Sequence, residues 1–360
     1  MMGPSASLDL SALRHNLQRV RECAPNSRIF AVIKANAYGH GMLRAAAALA
    51  DADAFAVARV EEGVKLREAG FQQKLLILEG FFNQQELAAA SHHQLELAIH
   101  QTEQLETLKQ QPLDKPVSCW LKVDSGMHRV GFQPDQALDA WKAVSQLSSV
   151  AGEVGLMTHL ANGDDLGDPT SKAQFDRFLP LAKACGTRIS IGNSAGILGW
   201  PDARTDWVRP GIMLYGASPF INGTGADDGL KPVMTFQSRL IAINHYPKGS
   251  PIGYSGTWRC PEAMPVGVVA VGYGDGYPRH APAGTPVLLN GRRVPLVGRV
   301  SMDMITVDLR NQPEAKIGDP IVLWGAGLPV EEIAGLTGTI SYELFCGVTG
   351  RVEFIEREAH

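Results

Sequence analysis

No apolar run in the chain approaches the roughly 20 residues that a helix needs to span a bilayer, which argues against a membrane role. The amino terminus lacks a basic stretch followed by an apolar one, so no secretory signal is expected and the cytoplasm is the expected address. Cysteine is scarce and scattered, at 23, 119, 185, 260 and 346, with no Cys-x-x-Cys spacing. An odd, dispersed set fits reduced thiols better than a disulfide or zinc framework, so all five read as structural and no metal is expected. Charged residues are 19% of the chain, and a formal net charge of -4 without a basic cluster leaves no electrostatic footprint for nucleic acid. Internal repeats and low-complexity segments are also missing. What remains is small-molecule chemistry on a soluble scaffold, and 360 residues suffice for about two domains.

The first half carries a regular beat. Residues 8–23 have helical spacing, and apolar runs then recur at 28–34, 54–58, 74–78, 95–99, 117–124, 154–159, 187–191 and 206–208. Helical patterns separate them, at 42–50, 60–69, 84–90, 102–110, 134–147 and 171–184. Eight strands alternating with helices over about 200 residues predict an α/β fold of the (β/α)8 barrel type. A doubly wound open sheet is the alternative, disfavoured because no Gly-x-Gly-x-x-Gly turn follows the first strand. After about residue 230 the texture becomes short β-prone runs, at 233–246, 265–272, 285–289, 293–297, 304–309, 320–324 and 352–355. Asn290-Gly291 is a two-residue hairpin signal, and only 330–335 reads as clearly helical. The expected division is a barrel at 1–230, whose first few residues can pack with the second domain, and a mainly-β domain at 231–360.

The stretch IFAVIKANAYGHG joins the two levels. A buried strand delivers Lys34 to its carboxyl end, where the pattern breaks into a loop. An ammonium held against apolar neighbours loses solvation, its pKa falls, and the amine can attack a carbonyl as a Schiff-base lysine. A lysine that simply extends past a strand end is the plainer reading. The other strand ends carry Lys122 and Arg129 (fifth), His159 (sixth), Ser194 (seventh) and Arg209 (eighth), as a polar pocket in a barrel mouth requires. The loops GNSAG and PGI after the seventh and eighth strands are candidates to cradle a phosphate. A reactive lysine beside such a cradle suggests pyridoxal phosphate or a phosphorylated sugar.

AVIKANAYGHG, LKVDSGMHRVGF, VRPGIMLYG, PIGYSGTW, VGYGDGYPR, VGRVSMDM and ISYEL, in this order, closely resemble the bacterial alanine racemases. The resemblance runs from the first strand to near the carboxyl terminus. It implies a barrel plus β domain, pyridoxal 5'-phosphate bound through Lys34, and a homodimer with shared active sites. By this likeness Lys34 and Tyr254 are the two bases. Tyr38, Ser194, Gly211, Ile212 and Tyr342 match phosphate contacts, and Arg209 matches the partner of the pyridine nitrogen, supported by His159. Arg129, Met302 and Asp303 match substrate-pocket positions, Tyr273 and Arg279 entrance positions, and Lys122 a lysine carbamylated in some members. The same scaffold admits a broader amino-acid racemase, a basic amino-acid decarboxylase or a non-catalytic cofactor carrier. Each is disfavoured: by the missing export signal, by Arg209 where decarboxylases place an acid, and by the β domain, respectively. The implied role is supply of D-alanine to peptidoglycan or breakdown of alanine.

Overall fold

The computed structural model describes residues 3–358. Eight parallel strands close into a barrel, each paired with its sequence neighbour. The eighth, Trp207–Val208, returns to the first, Arg28–Val32, through Arg28 with Trp207 and Ile29 with Val208. The observed strands lie within the predicted runs and are shorter, Cys119–Lys122 within 117–124 for example. Helices such as Val60–Glu68 and Thr102–Gln110 wrap the outside. The barrel interior is filled by aromatics: Phe30 stacks on Trp207 at 4.2 Å and meets Trp120 edge-on at 5.6 Å. A packed floor of this kind leaves only the carboxyl ends of the strands open for chemistry.

The second half is a mainly antiparallel sheet organised on one long strand, Met234–Tyr246. Two register shifts, at Phe236/Gln237 and at Leu240/Ala242, let it serve Pro320–Trp324 and Met264–Val269 in succession. Asn290 and Gly291 form the expected hairpin between Pro286–Leu289 and Arg292–Val297, both with positive φ.

Three readings need correction. Residues 8 and 9 are not helical: Ser5–Asp9 is a strand, antiparallel to Met234–Tyr246 and parallel to Glu353–Arg357, so the amino terminus is built into the second sheet. The helix begins at Leu10, because Asp9 caps it through its carboxylate to the Ser11 and Ala12 amides. The ISYEL stretch forms a second helix, Ser341–Gly347, beside the one expected at 330–335, which is observed as Val330–Leu336. GNSAG is not all loop either, since Ser194 opens the short helix Ser194–Gly199 under an Asn193 cap. Among the described residues no helix is long and apolar enough to cross a membrane.

Candidate active site

The main chain changes hand at Lys34. After the first barrel strand, Ala35, Asn36, Ala37 and Tyr38 take φ values of 52, 54, 55 and 52°, a single left-handed turn made without glycine. L-residues resist this conformation by about 1–2 kcal/mol each, so the turn stores roughly 4–8 kcal/mol. Surrounding contacts offset that strain. The Asn36 side chain accepts from the Met42 amide at 2.9 Å, Tyr38 packs on Tyr215 at 4.8 Å, and His40 stacks on Tyr215 at 4.6 Å. Gly39 ends the turn at φ 81°, where a Cβ would lie 2.3 Å from the Phe345 carbonyl oxygen. The helix Ser341–Gly347 is therefore pressed onto the turn that bears the lysine.

Lys34 opens into a cavity of about 620 Å3 at the barrel mouth. Every strand-end candidate is there: Lys34, Lys122, Arg129, His159, Ser194 and Arg209, with Tyr38, Gly211, Ile212 and Tyr342. Burial lowers the Lys34 pKa, and the Arg129 charge lowers it further. Lys122 is pulled down to about 7, by desolvation first and then by Arg209, Arg129 and Lys34. His159 is held well below its usual value by the same burial and cations, so it stands neutral.

Arg209 is 5% exposed and brought down to about 10 by burial. One terminal nitrogen donates to Ser190 Oγ; the other donates to the carbonyls of Thr158 and Ile191 and lies 3.5 Å from His159 Nδ1. Guanidinium cannot accept, so a bond to His159 requires Nδ1 without its proton, in agreement with a neutral ring. Among the described residues Arg209 Nε has no acceptor. In the same cavity, Ser194 Oγ accepts from the amides of Gly211 (2.9 Å) and Met213 (3.3 Å), which fixes the hydroxyl. A Cβ at 211 would sit 2.4 Å from Tyr38 Oη, so only glycine lets that hydroxyl reach the same corner.

The remaining candidates lie elsewhere. Tyr254 is 67% exposed and Met302 52%, and Asp303, Tyr273 and Arg279 are exposed as well; none lines the cavity. Tyr273 and Met302 are neighbours in the β domain: the Gly274 amide donates to the Met302 carbonyl and the Tyr273 amide to that of Ser301. Asp303 is paired with Arg351 at 2.7 Å.

The cavity wall also contains groups that sequence reasoning did not select, Glu79, His100 and Cys346, beside Asn193 of the GNSAG stretch. Glu79 and His100 follow the third and fourth strand ends, a position that could have flagged them. Cys346 is exposed and belongs to this wall, and all five cysteines are free thiols.

Residues 8–219 match the family model for the alanine racemase N-terminal domain, and 233–356 that for the C-terminal domain. The chain is 56% identical to the alanine racemase of Nitrosococcus oceani, over 97% of its own length and 98% of that protein's. It is 52% identical to that of Halorhodospira halophila, over 96% of each. Its fold superposes on the biosynthetic alanine racemase of Pseudomonas aeruginosa with a TM-score of 0.96 at 45% identity, covering 100% of both chains. For the Acinetobacter baumannii alanine racemase the TM-score is 0.94 at 41% identity, over 99% of this chain and 100% of that one. With both halves matched and relatives above half identity over nearly the whole length, the chain belongs to the alanine racemase family.

Proposed function

We propose that this chain interconverts L- and D-alanine by passing the α-proton between two opposed bases, Lys34 and Tyr254, at a pyridoxal-phosphate site that a second copy completes. The observation that carries this reading is the split of its candidates into two sets. A cationic pocket surrounds Lys34, and an exposed face carries Tyr254, Met302 and Tyr273 away from it. A homodimer that lays this face over its neighbour's barrel mouth gives both sets a purpose.

The pocket suits the cofactor. The hydroxyls of Tyr38, Ser194 and Tyr342 with the main chain at Gly211 and Ile212 would hold its phosphate. The guanidinium groups of Arg129 and Arg209 against the single carboxylate of Glu79 leave positive charge for a phosphate and a substrate carboxylate. The unpartnered Nε of Arg209 suits an acceptor such as the pyridine nitrogen. Bound through Lys34, pyridoxal phosphate supplies an electron-accepting ring that acidifies the hydrogen on the substrate's α-carbon.

The chain's own groups do the rest. Burial and the Arg129 charge lower the Lys34 pKa, which makes its proton easier to give up, as a base serving the D face needs. Tyr254 of the partner subunit would serve the L face, held by neutral His159. Arg209 keeps its own proton, so it would donate to the ring nitrogen without charging it. Arg129 would bind the substrate carboxylate, and the partner subunit's Met302 and Asp303 would close the wall around a methyl-sized side chain. Tyr273 and Arg279 would frame the entrance. Lys122, with a pKa near 7, has the neutral amine that attack on carbon dioxide requires, and the carbamate would set a negative charge beside Arg129.

Proton exchange in deuterated water tests this reading. The enantiomers are equal in free energy, so kcat/KM must stay equal in both directions for any variant, and racemisation rates alone cannot assign a base to a face. Exchange can. Tyr254→Phe is expected to lose racemisation yet still exchange the α-hydrogen of D-alanine, with L-alanine inert. Exchange of L-alanine alone would reverse the assignment, and undiminished racemisation would remove Tyr254 from the chemistry.

A further inference from the structure

We propose that Glu62 is the positioning residue for Lys34: its carboxylate clamps the left-handed turn to the neighbouring strand end and so fixes where the amine stands. This rests on the reading of Lys34 as the cofactor-bearing base. Glu62 lies in the first turn of helix Val60–Glu68, outside every candidate set above. Its Oε1 accepts from the Ala35 amide at 2.7 Å, and Oε2 from the amides of Ala58 and Arg59 at 2.8 and 3.1 Å. One side chain thus joins the residue after Lys34 to the end of the second barrel strand, Ala54–Val57. Among the described residues, no other side chain from outside 33–42 bonds to the main chain of the turn.

The chemistry calls for a carboxylate. Three amide hydrogens converge on two oxygens, both charged acceptors, which makes each bond stronger than a neutral one. A glutamine would keep one acceptor and turn an NH2 against an amide hydrogen. The clamp matters because local preference opposes the turn: Ala35 and Ala37 both sit at positive φ without glycine's freedom. A relaxed turn would swing Lys34 off the strand axis, and misplacement of a reacting group by about 1 Å can cost roughly a hundredfold in rate. The negative charge of Glu62 also acts on the Lys34 amine, opposing part of the fall in its pKa.

The test uses the full-length protein loaded with pyridoxal phosphate, as wild type, Glu62→Gln, Ala35→Gly and the double variant. Three quantities are read: borohydride-fixed cofactor on Lys34 by mass, amide deuterium exchange over residues 34–41, and kcat and KM separately. Glu62→Gln is expected to speed exchange in this segment at least tenfold, to reduce the fixed fraction, and to lower kcat ten- to hundredfold with KM within threefold. Ala35→Gly removes the strain that the clamp opposes, so the double variant should recover most of kcat and of the exchange protection. That rescue separates a clamp from general loss of structure, which glycine would deepen. Unchanged exchange and kcat in Glu62→Gln, or a defect that Ala35→Gly fails to relieve, overturns the clamp while the Lys34 assignment stands. Failure of wild type to fix cofactor on Lys34 overturns both.

Discussion

Lys122→Met offers the most quantitative probe of the cationic pocket. Lys122 is folded into the company of Arg209, Arg129 and Lys34, and its pKa falls from 10.5 to about 7. Between these values the unfolded chain binds a proton that the folded chain has released, so wild-type stability rises with pH across that window. The full penalty applies below pH 7 and fades toward pH 10.5. A shift of 3.5 units, the difference between 10.5 and 7, corresponds to on the order of 5 kcal/mol. Methionine fills similar space without a charge and removes the penalty. The cofactor-free variant should therefore exceed wild type in stability by about 5 kcal/mol near pH 6 and by about 2 near pH 9, above any constant packing difference. Denaturant midpoints at pH 6, 7, 8 and 9, at fixed protein concentration in buffer free of carbon dioxide, give the comparison. Lys34 and His159 are present in both proteins and cancel to first order. A difference that is flat with pH, or that grows toward pH 9, would show that Lys122 is not held among those cations, and would remove the ground for its carbamylation.

Two further outcomes test the site. Gly211→Ala sets a Cβ 2.4 Å from Tyr38 Oη, which must shift to admit it; the variant should lose about 1–3 kcal/mol of stability and, with that hydroxyl displaced from the corner, bind pyridoxal phosphate at least tenfold more weakly in a fluorescence titration. Mixing and refolding equal amounts of inactive Lys34→Ala and Tyr254→Phe chains should restore about a quarter of wild-type racemisation. Half of randomly paired dimers are hybrids, and each hybrid has one intact site of two if Lys34 and Tyr254 meet across subunits. No recovery would place both bases within one chain.

Much of this protein is written in local pattern. Each barrel strand is a short apolar run, each outer helix a periodic one, and the Asn290-Gly291 hairpin needs only two residues that accept positive φ. Once a barrel is inferred, topology alone brings Lys34, Lys122, His159, Ser194 and Arg209 to one mouth, since strand ends of a closed parallel barrel all face the same way.

Tertiary structure decided what local preference opposes or what distant partners create. ANAY at 35–38 contains no glycine and would not turn left-handed alone; Glu62, Asn36 and the Tyr38, His40 and Tyr215 rings impose it. Ser5–Asp9 is too short to declare itself, and its partners, Gln237 and Glu353 among them, lie more than 200 residues away. The depressed pKa of Lys122 comes from desolvation first, and then from Arg209 and Lys34 beyond other strands as well as Arg129 beyond its own, a convergence that no spacing records. The separation of Tyr254 from the pocket is likewise a fact of folded space: the motifs name Lys34 and Tyr254 together, and only the fold shows that Tyr254 stands exposed outside the cavity that Lys34 lines.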